Sequence, residues 1–329
     1  YYEGIDMASL KEVKNRIASV NSTRKITSAM KMVASSKLHH AQQSIERMLP
    51  YEETLERMLK TFLATQPDIT TSFEHSRQTI HTVALVVYAS NSSLCGGFNG
   101  NVIKEMTKAV NHYRELGVER IVIYPIGRKI AEKVNKMGLE SAGDFTHLAD
   151  KPNEAECREV SISIIKKFVT GEYDHVDLIY HHFKSAGSQI LRRKQYLPID
   201  LTTQLSEVKN DRDLQNNVAT AESIAYAKAQ GEDVIRYAKN KAKPLNDNYI
   251  IEPSLPSLLE KLIPKELHLM LYTALLDSNA SEHAARMIAM QTATDNADEL
   301  LRQLRLQYNK TRQYAITAEL LDIVGGSMQ

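Results

Sequence analysis

No stretch of about eighteen consecutive apolar residues occurs in this 329-residue chain, which excludes a membrane-spanning helix of ordinary length. Cysteine is scarce. Cys95 and Cys157 are the only two, which fits a reducing compartment and excludes a disulfide scaffold. An excess of either charge is also missing: 41 Lys and Arg stand against 40 Asp and Glu, so overall charge indicates no particular partner. Neither G-x-G-x-x-G nor G-x-x-x-x-G-K-[ST] is present, so neither common phosphate-binding loop is written in the sequence. H-E-x-x-H is absent, and the two cysteines have no C-x-x-C partners, so the usual zinc spacings are lacking despite eleven histidines. His181 and His182, adjacent on an expected strand, point to opposite faces and cannot hold one metal together. No Ser/His/Asp or paired-carboxylate arrangement can be singled out, and no cofactor is expected. The first six residues, YYEGID, lack the arginines of a transit peptide.

Glycine is missing from two further places, and there the absence is constructive. From Met7 to Thr65 there is none, and from Ser281 to Val324 there is neither glycine nor proline, until Gly325–Gly326 close the segment. In the second segment Ala285, Ala289, Ala293, Ala297, Leu300, Leu304, Tyr308 and Ala315 recur at steps of three and four, with Thr311 bridging the longest step. That is a thin helical stripe, suited to a coiled coil or shaft. In the first segment Leu10, Val13, Ile17 and Val20 make a stripe that Met30, Ala34, Leu38, Ala41, Ile45, Met48, Leu55, Leu59 and Phe62 resume. Ser9-Leu10-Lys11-Glu12 has a capping-box pattern, and Pro50 is expected to kink or interrupt the helix near Leu49. At 1.5 Å per residue, sixty residues make a rod of about 90 Å, and the segment after Pro264 is similar. Two matched terminal rods most simply pair antiparallel, with the middle of the chain inserted between them.

The middle alternates. His81–Ala89, Arg120–Tyr124, Val176–Phe183 and Gln189–Ile199 read as strands; Asn101–Leu116, Arg128–Met137 and Glu154–Val169 read as helices. This order predicts a mostly parallel sheet with helices on its faces, a fold that does not by itself imply a nucleotide. The loop SNSSLCGGFNG, Ser90–Gly100, sits where phosphate loops sit but has no lysine. It reads as a tight turn beside a packed cysteine. Met7–Arg47 carries eight basic residues against Glu12 and Glu46, a local net of +6. A solvated face is one reading. Nucleic-acid binding is another, opposed by the lack of aromatics in this stretch.

Three separated motifs carry a family resemblance. MASLKEVKNRIASVNSTRKITSAMKMVASSKL, from Met7 to Leu38, is the first. Leu94-Cys95-Gly96-Gly97-Phe98-Asn99 is the second. The third is Ser281–Gly326, with Ala285-Arg286-Met287, Ala293-Thr294-Asp295-Asn296-Ala297, Tyr308-Asn309-Lys310, Arg312-Gln313 and Ile323-Val324-Gly325-Gly326. In this order they resemble the gamma subunit of F-type ATP synthases, the central rotor shaft. The resemblance implies a long antiparallel coiled coil of the terminal helices with an inserted Rossmann-like α/β domain. The expected division is 7–65 and 256–326 for the shaft, 78–200 for the α/β domain, and 201–250 for a partly helical insertion.

It further implies a non-catalytic chain whose partners are the hexamer of ATP synthase alpha and beta subunits, the epsilon subunit and the membrane c-ring. Nucleic acid and a direct membrane span are not implied. A bacterial source, and hence the cytoplasmic side of the inner membrane, is expected. The family's coupling positions fall on Met30, Lys31, Arg286, Gln313, Thr317, Glu319 and Asp322. On the basic helix the resemblance adds a third reading, a shaft turning beside acidic segments of its ring. Two departures stand out. Asn91-Ser92-Ser93 replaces the usual Asp-Arg-Gly, so no role is carried over to that segment. The insertion matches the place where chloroplast relatives carry two cysteines, but has none, which excludes thiol control there and leaves a passive spacer as the expectation. A non-rotary coiled-coil adaptor is the alternative from another class, and a nucleotide-binding enzyme on the central sheet a weaker one.

Overall fold

The computed structural model describes residues 10–65, 73, 79–199, 212, 252 and 254–326. Its elements are α1 (Leu10–Thr65), β1 (Thr82–Tyr88), α2 (Phe98–Glu115), β2 (Arg120–Ile126), α3 (Arg128–Lys136), β3 (Glu140–Ser141), α4 (Thr146–Asp150), α5 (Glu154–Val169), β4 (His175–Ser185), β5 (Ser188–Leu197) and α6 (Leu255–Gly326). Two compact units result: Tyr1–Val33 with Met287–Gln329, and Ala34–Arg286. The proposed insertion, 201–250, lies outside the described residues except for Arg212.

In the first unit the starts of α1 and the end of α6 run antiparallel. Arg24 pairs with Asp298 at 3.3 Å and Thr27 with Thr294 at 2.8 Å, so that partner numbers fall as α1 advances. Val13 is buried on α1, and Met287, Met290, Ala297, Leu301 and Leu304 on α6. From Leu10 to Phe62, residues taken at alternating steps of three and four are all at least partly buried. That spacing averages 3.5 residues and makes a coiled-coil seam. The gap in the apolar stripe between Val20 and Met30 is therefore not a gap in the seam. Arg24, Thr27 and Lys31 occupy those positions.

Three expectations need correction. Leu300 is 37% exposed and Ala315 is exposed; the seam passes through Leu301 instead. Ala285, Ala289 and Ala293 are half-buried flanks, because the larger Met287 and Met290 take the interior positions. Pro50 does not interrupt α1, which continues to Thr65. The missing N–H forfeits one helical bond, and the burial of Ile45, Leu55, Leu59 and Phe62 on either side keeps the segment helical.

In the second unit the sheet order is β3-β2-β1-β4-β5. β1 pairs in parallel with β2 and β4, β2 with β3, and only the β4–β5 hairpin is antiparallel. The mostly parallel sheet expected from the alternation is thus present, with the short β3 and α4 as additions. Side chains alternate along β1. Ala84, Val86 and Tyr88 join α5, the latter part of α1 and the first part of α6 in one core. Val83, Leu85 and Val87 join α2 and α3 in the other. The tyrosines fix α6 to the sheet through their hydroxyls: Tyr88 donates to the Leu271 carbonyl at 3.0 Å and Tyr196 to that of Leu267 at 3.1 Å.

Candidate coupling surface

Met30 and Lys31 are neighbours on α1, both half-buried. Gln313, Thr317 and Glu319 are exposed on the last turns of α6, and Asp322 is helical in the same stretch. Gln313 and Thr317 lie one turn apart, and the Thr317 hydroxyl donates to the Gln313 carbonyl at 2.9 Å. From Arg312 to Leu321 every residue is exposed, and among them and just beyond are six large apolar side chains. Tyr314, Ile316, Leu320, Leu321, Ile323 and Val324 are between 49% and 68% exposed. A soluble helix left to itself would not concentrate so much apolar surface at its tip.

Arg286 belongs to a different environment. Its Nη1 donates to Glu282 at 2.6 Å, and its Nη2 donates to the Ser92 hydroxyl at 2.7 Å and the Ser93 carbonyl at 3.3 Å. The segment that departs from the family pattern is the one that holds this expected coupling residue. Several contacts hold the segment itself. The Arg128 backbone N–H donates to the Asn91 side chain at 2.8 Å, and its guanidinium to the Asn91 carbonyl. Asn91 reaches on to the Thr146 carbonyl and Asp150. Gly127 makes this junction feasible: at φ +108, a Cβ there would meet the Ala89 carbonyl oxygen at 2.1 Å. Nothing in the spacing of Ser92 and Arg286, 194 positions apart, could have revealed their contact.

Beneath Arg286, α6 carries an unusual buried polar run: Asp277, Ser278, Asn279, Ser281, Glu282 and His283. Burial raises the Glu282 carboxyl above its ordinary value, with Arg286 pulling the other way. Burial pushes His283 down to about 4, and Lys37 and Arg286 add to the effect. His181, stacked on Phe98 with ring centroids 4.4 Å apart, is likewise pushed down to about 4 by burial. Its neighbour His182 faces the other way and meets Asp277 through Nδ1 at 2.7 Å. The strand alternation thus separates the histidine pair as expected.

A family model described as ATP synthase matches residues 9–328. The ATP synthase gamma chain of Phocaeicola vulgatus is 49% identical over 322 residues, covering 98% of this chain and 100% of that one. That of Bacteroides fragilis is 51% identical with the same coverage. The chain belongs to the ATP synthase gamma-chain family. Its fold has a counterpart in the rotor of the Euglena gracilis mitochondrial ATP synthase: TM-score 0.53, 17% identity, 93% of this chain and 98% of that chain covered. With membership in this family, the subunit is one part of a larger complex, and no described helix is long and apolar enough to cross a membrane.

Proposed function

We propose that the chain is the rotor shaft of an F-type ATP synthase, coupling ion flow through a membrane ring to conformational cycling on a hexamer of alpha and beta subunits. The exposed apolar tip of α6 carries this reading. Six large apolar side chains on one helix end need a partner surface, and a hexamer opening supplies one that encloses the tip without fixing it. The forty residues from Met287 to Gly326 span about 60 Å, long enough to reach well into such an opening. One asymmetric helix pair facing three equivalent catalytic pairs makes different contacts with each, so turning it shifts each site's conformational equilibrium in sequence. Chemistry stays on the partners; this chain contributes differential contact.

Met30, Lys31, Gln313, Thr317, Glu319 and Asp322 are the residues proposed to meet the ring. Arg286, gripped by Ser92, Ser93 and Glu282, acts through the position it holds rather than as a free contact. The epsilon subunit and the c-ring are the proposed partners of the sheet-bearing part. The proposed location of the complex is the cytoplasmic face of a bacterial inner membrane, a reading supported by the bacterial relatives. Contacts between the basic stretch of α1 and acidic ring segments are weak and salt-screened, each worth about 0–1 kcal/mol, which lets the shaft turn.

The test is co-purification. A tagged full-length chain co-expressed with the alpha and beta subunits of its source should elute with both, and truncation after Gln313 should weaken that retention. The isolated chain should hydrolyse no ATP. A chain that elutes alone and yet bundles other helical proteins would favour the adaptor reading instead.

A further inference from the structure

Arg212 stands apart from the charged residues discussed so far. It comes from the long crossover between β5 and α6, yet its guanidinium is inside the sheet-bearing unit, with the side chain 9% exposed. Nε donates to Asp277 Oδ1 and Nη2 to Asp277 Oδ2, both at 3.0 Å, a two-pronged fork on one carboxylate. Nη1 reaches Glu52 Oε2 at 3.4 Å. Asp277 also meets His182 Nδ1 at 2.7 Å. The four groups come from four parts of the chain: Glu52 from α1, His182 from β4, Asp277 from α6 and Arg212 from the crossover.

A guanidinium enters a protein interior only where carboxylates compensate for lost water, and a buried carboxylate such as Asp277 makes the same demand. The parallel fork adds geometry that an ammonium group could not supply. An ordinary spacer places its charged residues in water.

We propose that Arg212 is a latch that fastens its own point in the chain to α1, β4 and α6 at once. It carries the cation that ties the two long helices together at the level of Glu52 and Asp277. This inference does not depend on the rotor reading, because it concerns only how the chain is fastened to itself.

Limited trypsin digestion of the full-length chain tests it, with cuts assigned by mass spectrometry. Trypsin's target bonds in the crossover that none of the variants alters follow Lys209, Lys228, Arg236, Lys239 and Lys241. Arg212→Gln and Asp277→Asn should each speed cutting there by about tenfold or more, the scale expected for loss of a charge-assisted pair. Arg212→Lys should fall between them and the parent. The double variant Arg212→Gln/Asp277→Asn should be cut no faster than the faster single, because both changes remove one interaction. Crossover cutting within twofold of the parent would overturn the latch. So would single effects that multiply in the double, or equal acceleration at sites within α2 to α5, which would mean general loosening. If Arg212→Gln gives no soluble chain, Arg212→Lys and Asp277→Asn carry the same comparison, and parental crossover rates in both would overturn it.

Discussion

Lowering the pH should loosen the sheet-bearing unit, and two histidines should account for most of the loss. His181 is 3% exposed and His283 8% exposed, and each has an Nδ1 without a hydrogen-bond partner among the described residues. Both are held neutral, with folded values of about 4 against an ordinary 6.5. Between those values the unfolded chain binds a proton at each position that the folded chain does not. Stability therefore rises with pH through the window and is lost as pH falls toward 4. One pH unit inside the window is worth about 1.4 kcal/mol per group. From about pH 7.5 to about pH 5.5 each histidine should cost about 1.4 kcal/mol, roughly 2.7 kcal/mol together. Glu282 works in the opposite sense, since its folded value is raised and protonation at lower pH relieves its burial. The net decline is accordingly smaller than the histidine sum. His181→Gln and His283→Gln separate the contributions. Urea unfolding of the full-length chain, followed by tyrosine fluorescence, reads this unit well because Tyr88, Tyr113, Tyr173, Tyr180 and Tyr196 all lie in it. Each variant should reduce the pH-dependent loss by about 1.4 kcal/mol, whatever its effect at neutral pH. If both variants lose as much between the two pH values as the parent, buried neutral histidine is the wrong explanation.

Gly127→Ala should destabilise the same unit by about 2–4 kcal/mol, from positive-φ strain together with displacement of the Ala89 carbonyl, measurable by urea unfolding. Its urea midpoint should fall well below the parent's; an unchanged midpoint would show that the junction yields freely. Ala297→Leu should overpack the seam and cost about 1–3 kcal/mol. The exposed Leu300→Ala should change thermal unfolding far less, and equal effects would mean that the seam is misassigned. Met30→Lys places a second cation beside Lys31. If acidic ring segments lie at that height, ATP-driven pumping should fall more than hydrolysis, with partial recovery in added salt. Assayed side by side in membranes, equal losses or no change would reduce Met30 to a packing residue.

The long helices were readable because seam spacing persists over dozens of residues, and glycine, which would interrupt it, is absent. Their phase was harder to read. Leu300 and Leu301 are adjacent, and only the packed partner distinguishes them. Arg24 and Thr27 looked like a break because an apolar pattern cannot register positions filled by matched polar groups. Of the kink or interruption expected at Pro50, the interruption does not occur, because the burial of its neighbours outweighs local propensity. The strands β1 and β2 were visible as β-branched runs, and β4 and β5 as extended stretches in the alternation, whereas β3, with two residues, and α4, with five, are too short to carry a period. At the candidate site the family motifs supplied the positions, but the grip of Ser92 and Ser93 on Arg286 and the fork of Arg212 on Asp277 are long-range meetings that no local pattern encodes.

The polar pair in the middle of the helix seam also polices assembly errors. Apolar seams are forgiving: a two-helix coil can slide by one heptad and still bury leucine against leucine. Here a slide in one direction would bring Arg24 opposite Arg305 and Thr27 opposite Leu301. A slide in the other would bring Arg24 opposite Gln291 and Thr27 opposite Met287. The first sets like charges together, and the second leaves the arginine without its carboxylate; either one separates the two threonine hydroxyls. Only the native alignment gives Arg24 Nη1 its carboxylate and sets the Thr27 and Thr294 hydroxyls together. These two side-chain contacts near the middle of the coil therefore favour one distance by which the tip of α6 overshoots α1, and a folding chain that docks one heptad out of register forgoes both.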